Sequence, residues 1–146
     1  MSGQITQTRD GAVATVAIDH AEKLNALTVA MWQDLARVMR ELSADDDLRC
    51  VVLRGAGGHF CAGGDLGWMQ QAAELDFNGN LEDARALAEL LYNLYQLKKP
   101  TLAVVQGAVF GGGVGLVSCC DMAIGADNAQ FSLSEVRIGL APATIS

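Results

Sequence analysis

Histidine is scarce in this chain of 146 residues, which holds only His20 and His59. A histidine-based metal centre needs several imidazoles at set spacings, so no metal site is expected. Positive charge is also short: ten lysines and arginines against seventeen acids leave a net charge of −7. A nucleic-acid partner requires a basic face and is not expected. Local lysines and backbone amides can still receive an anionic ligand. Long apolar runs are missing too. The richest stretch, Val104 to Val117, is short and broken by glycine, which argues against a membrane span. Met1-Ser2-Gly3-Gln4 shows neither the positive start nor the apolar run of a signal peptide. The cysteines Cys50, Cys61, Cys119 and Cys120 contain no C-x-x-C pair, and adjacent Cys119 and Cys120 suit no disulfide framework. Reduced thiols and a cytoplasmic location are the expectation.

What is present points to one folded domain over residues 1–146. Hydrophobic residues make up 51% and charged residues 18%, enough for a core and too apolar for disorder. Ile5 to Thr8 and Ala12 to Ile18 alternate as a hairpin does, with Asp10-Gly11 as its turn. Thr28 can cap a helix whose Met31, Leu35, Val38, Met39 and Leu42 share one face. Asp45-Asp46-Asp47 follows as a polar loop, and Cys50 to Leu53 reads as a buried strand. A second helix is predicted from about Leu81 to Leu97, capped by Asn80, with Glu82 and Asp83 at its positive end. Leu87, Leu90, Leu91 and Leu94 form its apolar stripe, and Pro100 stops it. Thr101 to Val105 is a further buried strand, Gly113 to Cys120 a short apolar helix, and Met122 to Ile124 and Ala129 to Phe131 two short strands. The alternation of strands and helices indicates an α/β fold of stacked units.

Two glycine-rich segments each follow a predicted strand. They read Phe60-Cys61-Ala62-Gly63-Gly64-Asp65-Leu66 and Gly107-Ala108-Val109-Phe110-Gly111-Gly112-Gly113-Val114-Gly115. Glycine lets backbone N–H groups approach a ligand with no Cβ in the way. Two such segments suggest paired amides converging on one carbonyl oxygen, an oxyanion hole. The plainer alternative is that the glycines only permit close helix packing. Nucleotide motifs fit poorly. There is no G-x-x-x-x-G-K-[ST], and Gly113-x-Gly115-x-x-Ser118 lacks the third glycine of the dinucleotide fingerprint.

Nucleophile motifs are missing as well: there is no G-x-S-x-G and no evident histidine triad. Cys61 reads as a buried, inert thiol rather than a nucleophile. Glu135 stands among apolar neighbours just after a short strand, in Phe131-Ser132-Leu133-Ser134-Glu135-Val136-Arg137-Ile138-Gly139. A carboxylate so placed can act as acid or base. An ion pair with Arg137, or a surface position, is the plainer reading.

The glycine segments, with Cys120-Asp121-Met122-Ala123 and the early Ala21-Glu22-Lys23-Leu24-Asn25-Ala26-Leu27, resemble the enoyl-CoA hydratase/isomerase (crotonase) superfamily. The resemblance runs in order through essentially the whole chain. Trp68-Met69-Gln70-Gln71, Ser118 to Gly125 and Leu133 to Ser146 look most like bacterial methylglutaconyl-CoA hydratases of leucine and isoprenoid breakdown. The fold this implies is a crotonase-like spiral of ββα units, here lacking the C-terminal helical region that family members carry beyond this length. The chain is therefore expected to be truncated, and a non-catalytic CoA-ester binder is an alternative. The family builds trimers, so a homotrimer or dimer of trimers is the assembly expected at full length.

The resemblance also implies roles. The amides of Gly64 and Gly112 would hold the thioester oxygen. The segment Ala62, Gly63, Gly64, Asp65, Leu66 and Gly67 would line the CoA and thioester, and Lys23 and Ala26 would lie near the adenine end. No cofactor is implied, because coenzyme A arrives as part of the acyl-CoA substrate. Family hydratases carry two glutamates about the double bond, and Glu135 matches the one that handles the α-carbon proton. The position of the other, within the acyl-CoA contact region, is held here by Gly115. A glycine cannot activate water, so a one-base double-bond isomerase is a second reading beside hydration. Arg137 would lie on the same side as Glu135 if that stretch is extended, where it could anchor a distal carboxylate; a surface salt bridge is the plainer role.

Overall fold

Alternating residues at the start of the chain pair as predicted. In the computed structural model, which describes residues 2–143 and 145, β1 (Gln4–Asp10) runs antiparallel to β2 (Val13–Asp19). Gly11 turns the hairpin at φ +55°. Met1, and the Thr144 and Ser146 of the Leu133 to Ser146 resemblance, lie outside the described residues.

The helix α1 (Val29–Ala44) starts where Thr28 accepts the Met31 N–H through its hydroxyl at 3.3 Å. All five residues of the predicted stripe are buried, joined by Trp32 and Ala36. Each large side chain so buried contributes about 1.5–3 kcal/mol of transfer free energy, which is what holds α1 on the sheet. The strand β3 (Cys50–Gly55) then pairs parallel to β2.

Two corrections follow along the chain. A helix that periodicity did not reveal, α2 (Leu66–Ala72), is capped by the Asp65 carboxylate on the Trp68 N–H and buries none of its residues. The next, α3 (Phe77–Tyr95), begins earlier than Leu81. Its cap is Asp76, whose carboxylate takes the Gly79 N–H at 2.8 Å, while the Asn80 amide donates back to the carbonyls of Leu75 and Asp76. Asp83 consequently sits inside the helix rather than at its positive end. Leu90 and Leu94 are buried, with Leu87 and Leu91 packed beside them.

The strand β4 (Thr101–Val105) continues the parallel sheet, followed by an unpredicted three-residue strand β5 (Ala108–Phe110) inside the second glycine segment. After α4 (Gly112–Cys119), β6 (Met122–Gly125) joins the edge beyond β4, and β7 (Gln130–Ser132) pairs parallel with β5. The main sheet thus runs β1-β2-β3-β4-β6, with β5-β7 as a second, smaller sheet. Among the described residues, no helix is long and apolar enough to cross a membrane.

Candidate active site

The two glycine segments meet because short parallel bridges hold their flanks together. Cys61 N–H donates to the Ala108 carbonyl at 3.1 Å, and Phe110 N–H to the Cys61 carbonyl at 2.9 Å. On the other side, Leu27 N–H donates to Gly63 O at 2.8 Å and Asp65 N–H to Leu27 O at 2.9 Å. Gly63 has φ +96°, and a Cβ there would lie only 3.1 Å from the Phe110 carbonyl. Both the backbone angle and the close approach favour glycine there.

This knitting leaves the amides of Gly64 and Gly112 unpaired: among the described residues, neither N–H has an acceptor. Gly112 opens α4, whose first-turn N–H groups have no partner within the helix. Both glycines line one cleft of about 960 Å³. Lys23, Ala26, Ala62, Gly63, Asp65, Leu66, Gly67 and Glu135, all named from the sequence, line it as well, together with Arg137.

Gly115 is the exception and does not line the cleft. It is buried in α4, and the place a Cβ would take lies 3.6 Å from Leu91 of α3 and closer still to the Ile145 side chain. For this glycine the packing alternative holds. Gly113 behaves similarly, since a Cβ there would meet the Cys61 carbonyl at 2.5 Å.

Glu135 reaches the cleft from a single 3-10 turn, Ser134–Ile138, after β7. Gly111 N–H donates to Ser132 O at 2.9 Å, which brings this turn onto the second glycine segment. Gly111, at φ +49°, makes room for it: a Cβ there would lie 2.9 Å from Glu135 Oε1. The other carboxylate oxygen, Oε2, is buried with no hydrogen-bond partner. The stretch is not extended, so the geometry assumed for Arg137 does not hold. Arg137 still lines the cleft, and among the described residues it makes no ion pair with Glu135. Asp65 lines the cleft too but is engaged: it caps α2 and accepts from Lys23 Nζ at 2.8 Å. That ammonium holds its carboxyl below the usual carboxylate range, against the opposing effect of burial.

The other reactive groups are structural. Cys61 is fully buried and its thiol is pushed up to about 12 by desolvation, which leaves it inert. His20 Nδ1 donates to the Ala26 carbonyl at 2.8 Å, and His59 Nδ1 accepts the Ala108 N–H at 3.0 Å. Sequence reasoning missed two features. Asn25, at φ +58° and fully buried, clamps the loop that carries Lys23 and Ala26: its carbonyl accepts from His20 N, and its amide donates to Ala56 O and His59 O. Asparagine's tolerance of left-handed backbone was the available signal. The second is a pair of tryptophans on the cleft wall, Trp32 and Trp68, with ring centroids 4.5 Å apart and edge to face.

Comparison with known proteins places the fold. Residues 8–146 match the family model described as enoyl-CoA hydratase/isomerase. An enoyl-CoA hydratase of Alternaria alternata is 37% identical over 131 residues, covering 90% of this chain and 42% of that protein. A mitochondrial Delta(3,5)-Delta(2,4)-dienoyl-CoA isomerase of Mus musculus is 38% identical over 140 residues, covering 88% and 42%. The crystal structure of an enoyl-CoA hydratase from Shewanella pealeana superposes with a TM-score of 0.93 at 41% identity, covering 97% of this chain and 54% of that one. The chain spans about half the length of the curated relatives it matches. With its crotonase-like α/β fold, the chain belongs to the enoyl-CoA hydratase/isomerase family.

Proposed function

We propose that the cleft binds a 2-enoyl-CoA thioester and supports reversible addition of water across its double bond. The observation that carries this reading is the meeting of two unpaired amides, Gly64 and Gly112, with the unpartnered carboxylate of Glu135. The thioester oxygen would sit between the amides. Glu135 takes a proton from the attacking water as its oxygen bonds to C3, the electrons of the double bond move toward the thioester oxygen, and the resulting enolate takes that proton back from Glu135 at C2. Fixed N–H donors stabilise the enolate with no reorganisation, each worth about 2.7–4 kcal/mol of the barrier. The first turn of α4 adds its positive end to the same oxygen.

Glu135 is the group we assign to proton exchange at C2. Among the described residues lining the cleft, Asp65 and Glu135 are the carboxylates, and Asp65 is held by Lys23 and α2. A single free base also suits a double-bond isomerase, which moves one proton between C2 and C4 through the same enolate. For the finer substrate we propose a branched glutaconyl ester, 3-methylglutaconyl-CoA or an isoprenoid relative, with Arg137 as the one cleft cation outside an ion pair among the described residues.

Glu135→Gln keeps the side-chain shape and removes the base. In protein that hydrates crotonyl-CoA, turnover should fall roughly 10²–10⁴-fold with little change in CoA-ester binding. Near-normal turnover would sink the assignment. Conversion of 3-enoyl to 2-enoyl thioesters without water addition would select the isomerase, and binding with neither reaction would select the CoA-ester binder.

A further inference from the structure

We propose that Trp68, latched by Asp83, determines the length of acyl group that the cleft accepts. The inference rests on the acyl-CoA reading above and goes beyond it. The Trp68 Nε1–H donates to Asp83 Oδ2 at 2.9 Å, tying α2 to α3. The indole ring stands edge to face on Trp32, which is itself buried in α1. On its other side, Cζ3 and Cε3 lie 3.4 and 3.5 Å from the point where a Cβ of Gly64 would stand.

The ring therefore lies against the residue whose free amide is assigned to the thioester oxygen. An acyl chain leaving that carbonyl must pass it. The walls beyond, from Trp32, Leu87, Leu90 and Leu116, are apolar and suit hydrocarbon. Asp83 does not line the cleft, so it acts through the indole as a positioning residue.

The latch matters because little else holds this wall. The α2 helix buries none of its own residues, and Trp68 is half-buried. A hydrogen bond from indole to carboxylate is charge-assisted and stronger than a neutral one. Without it the ring is free to turn away from Trp32, and the cleft lengthens past α2. Short acyl groups then lose a wall, and long ones gain room.

The test is calorimetric titration of the purified chain with butyryl-CoA, dodecanoyl-CoA and free coenzyme A, none of which needs turnover. Asp83→Ala should raise the dodecanoyl-to-butyryl affinity ratio about fivefold to tenfold while free coenzyme A binds within about twofold of wild type. Trp68→Phe retains a ring without the donor and should shift the ratio in the same direction, so the inference stays testable if one variant fails to fold. Circular dichroism checks folding in both. An unchanged ratio in folded variants overturns the latch and leaves the acyl-CoA reading standing. Equal loss for all three ligands makes Asp83 merely structural and also overturns it. No acyl-CoA binding by the wild type overturns both readings.

Discussion

The two walls of the cleft are built from different materials. One is backbone: the segments around Gly64 and Gly112, knitted by hydrogen bonds of 2.8–3.1 Å and backed by fully buried Phe60, Cys61 and Val109. The other is side chain: α2 and the 3-10 turn of Glu135, neither of which buries a residue. On the proposed function, the difference separates two tasks. Stabilising a developing charge needs donors fixed to a fraction of an ångström, and paired backbone supplies that. Accepting an acyl group of a given size needs a surface that substitution can reshape, and weakly buried side chains supply that.

The comparison breaks most visibly if the backbone wall proves soft. Gly113→Ala would press a methyl to 2.5 Å from the Cys61 carbonyl, an atom already committed to Phe110 N–H. Overpacking of this kind costs about 1–3 kcal/mol where side chains can adjust, and backbone adjusts less. We expect a loss at the upper end of that range or beyond, read from the urea midpoint. Gly112→Ala, one residue away, has nothing nearer than Gly63 Cα at 3.9 Å and should leave the midpoint almost unchanged. Equal losses at both positions would mean that the knitting does not confer rigidity.

How much of this was legible beforehand follows the range of the interactions. The hairpin and α1 were readable because alternation, the Asp10-Gly11 turn and the Thr28 cap are local. The α2 helix was not, since seven residues with no buried stripe leave no periodic signal. The start of α3 is misplaced in the sequence because Asn80 reads as a cap, whereas the cap is Asp76, which holds the Gly79 N–H. The convergence of the glycine segments could be guessed from composition, but the seating of Glu135 on Gly111 could not. It depends on β5 pairing with β7, and β5 lay hidden inside a glycine run. Gly115 shows the limit most clearly. Its place in the sequence matched that of a catalytic group, yet the packing of α4 on α3 turns it toward Leu91 and Ile145.

A smaller effect is expected at Asp65, where the two walls join. Its side chain is 9% exposed, pairs with Lys23 and caps α2, whereas the Lys23 side chain is 54% exposed. Asp65→Ala should destabilise by about 1–2 kcal/mol, mainly through the lost cap. Lys23→Ala should fall in the range of about 0–1 kcal/mol for a largely exposed partner. The pH dependence has a definite sign. The Lys23 ammonium lowers the folded-state pKa of Asp65 from 3.8, so near that pH the unfolded chain binds more protons than the folded one. The contribution is complete above the unfolded value and fades as pH falls through the lower folded one. Denaturation at neutral pH and at about pH 3 should show the gap between wild type and Asp65→Ala shrinking in acid. An unchanged gap would remove the ion pair from the account.

The smallest effect is expected on the side-chain wall itself. Leu66 opens α2 beside the cleft and is 65% exposed, so its isobutyl group loses little contact with water on folding. Leu66→Ser should therefore move stability by no more than about 0.5 kcal/mol, the usual range for a surface change. Butyryl-CoA affinity should fall by roughly twofold, because the same side chain supplies part of an apolar wall to a bound ligand. A substitution that leaves the fold alone and still reaches the ligand is what a wall built for selection requires. If Leu66→Ser instead lowers the urea midpoint as far as Gly113→Ala does, α2 belongs to the rigid frame, and the division between the two walls fails.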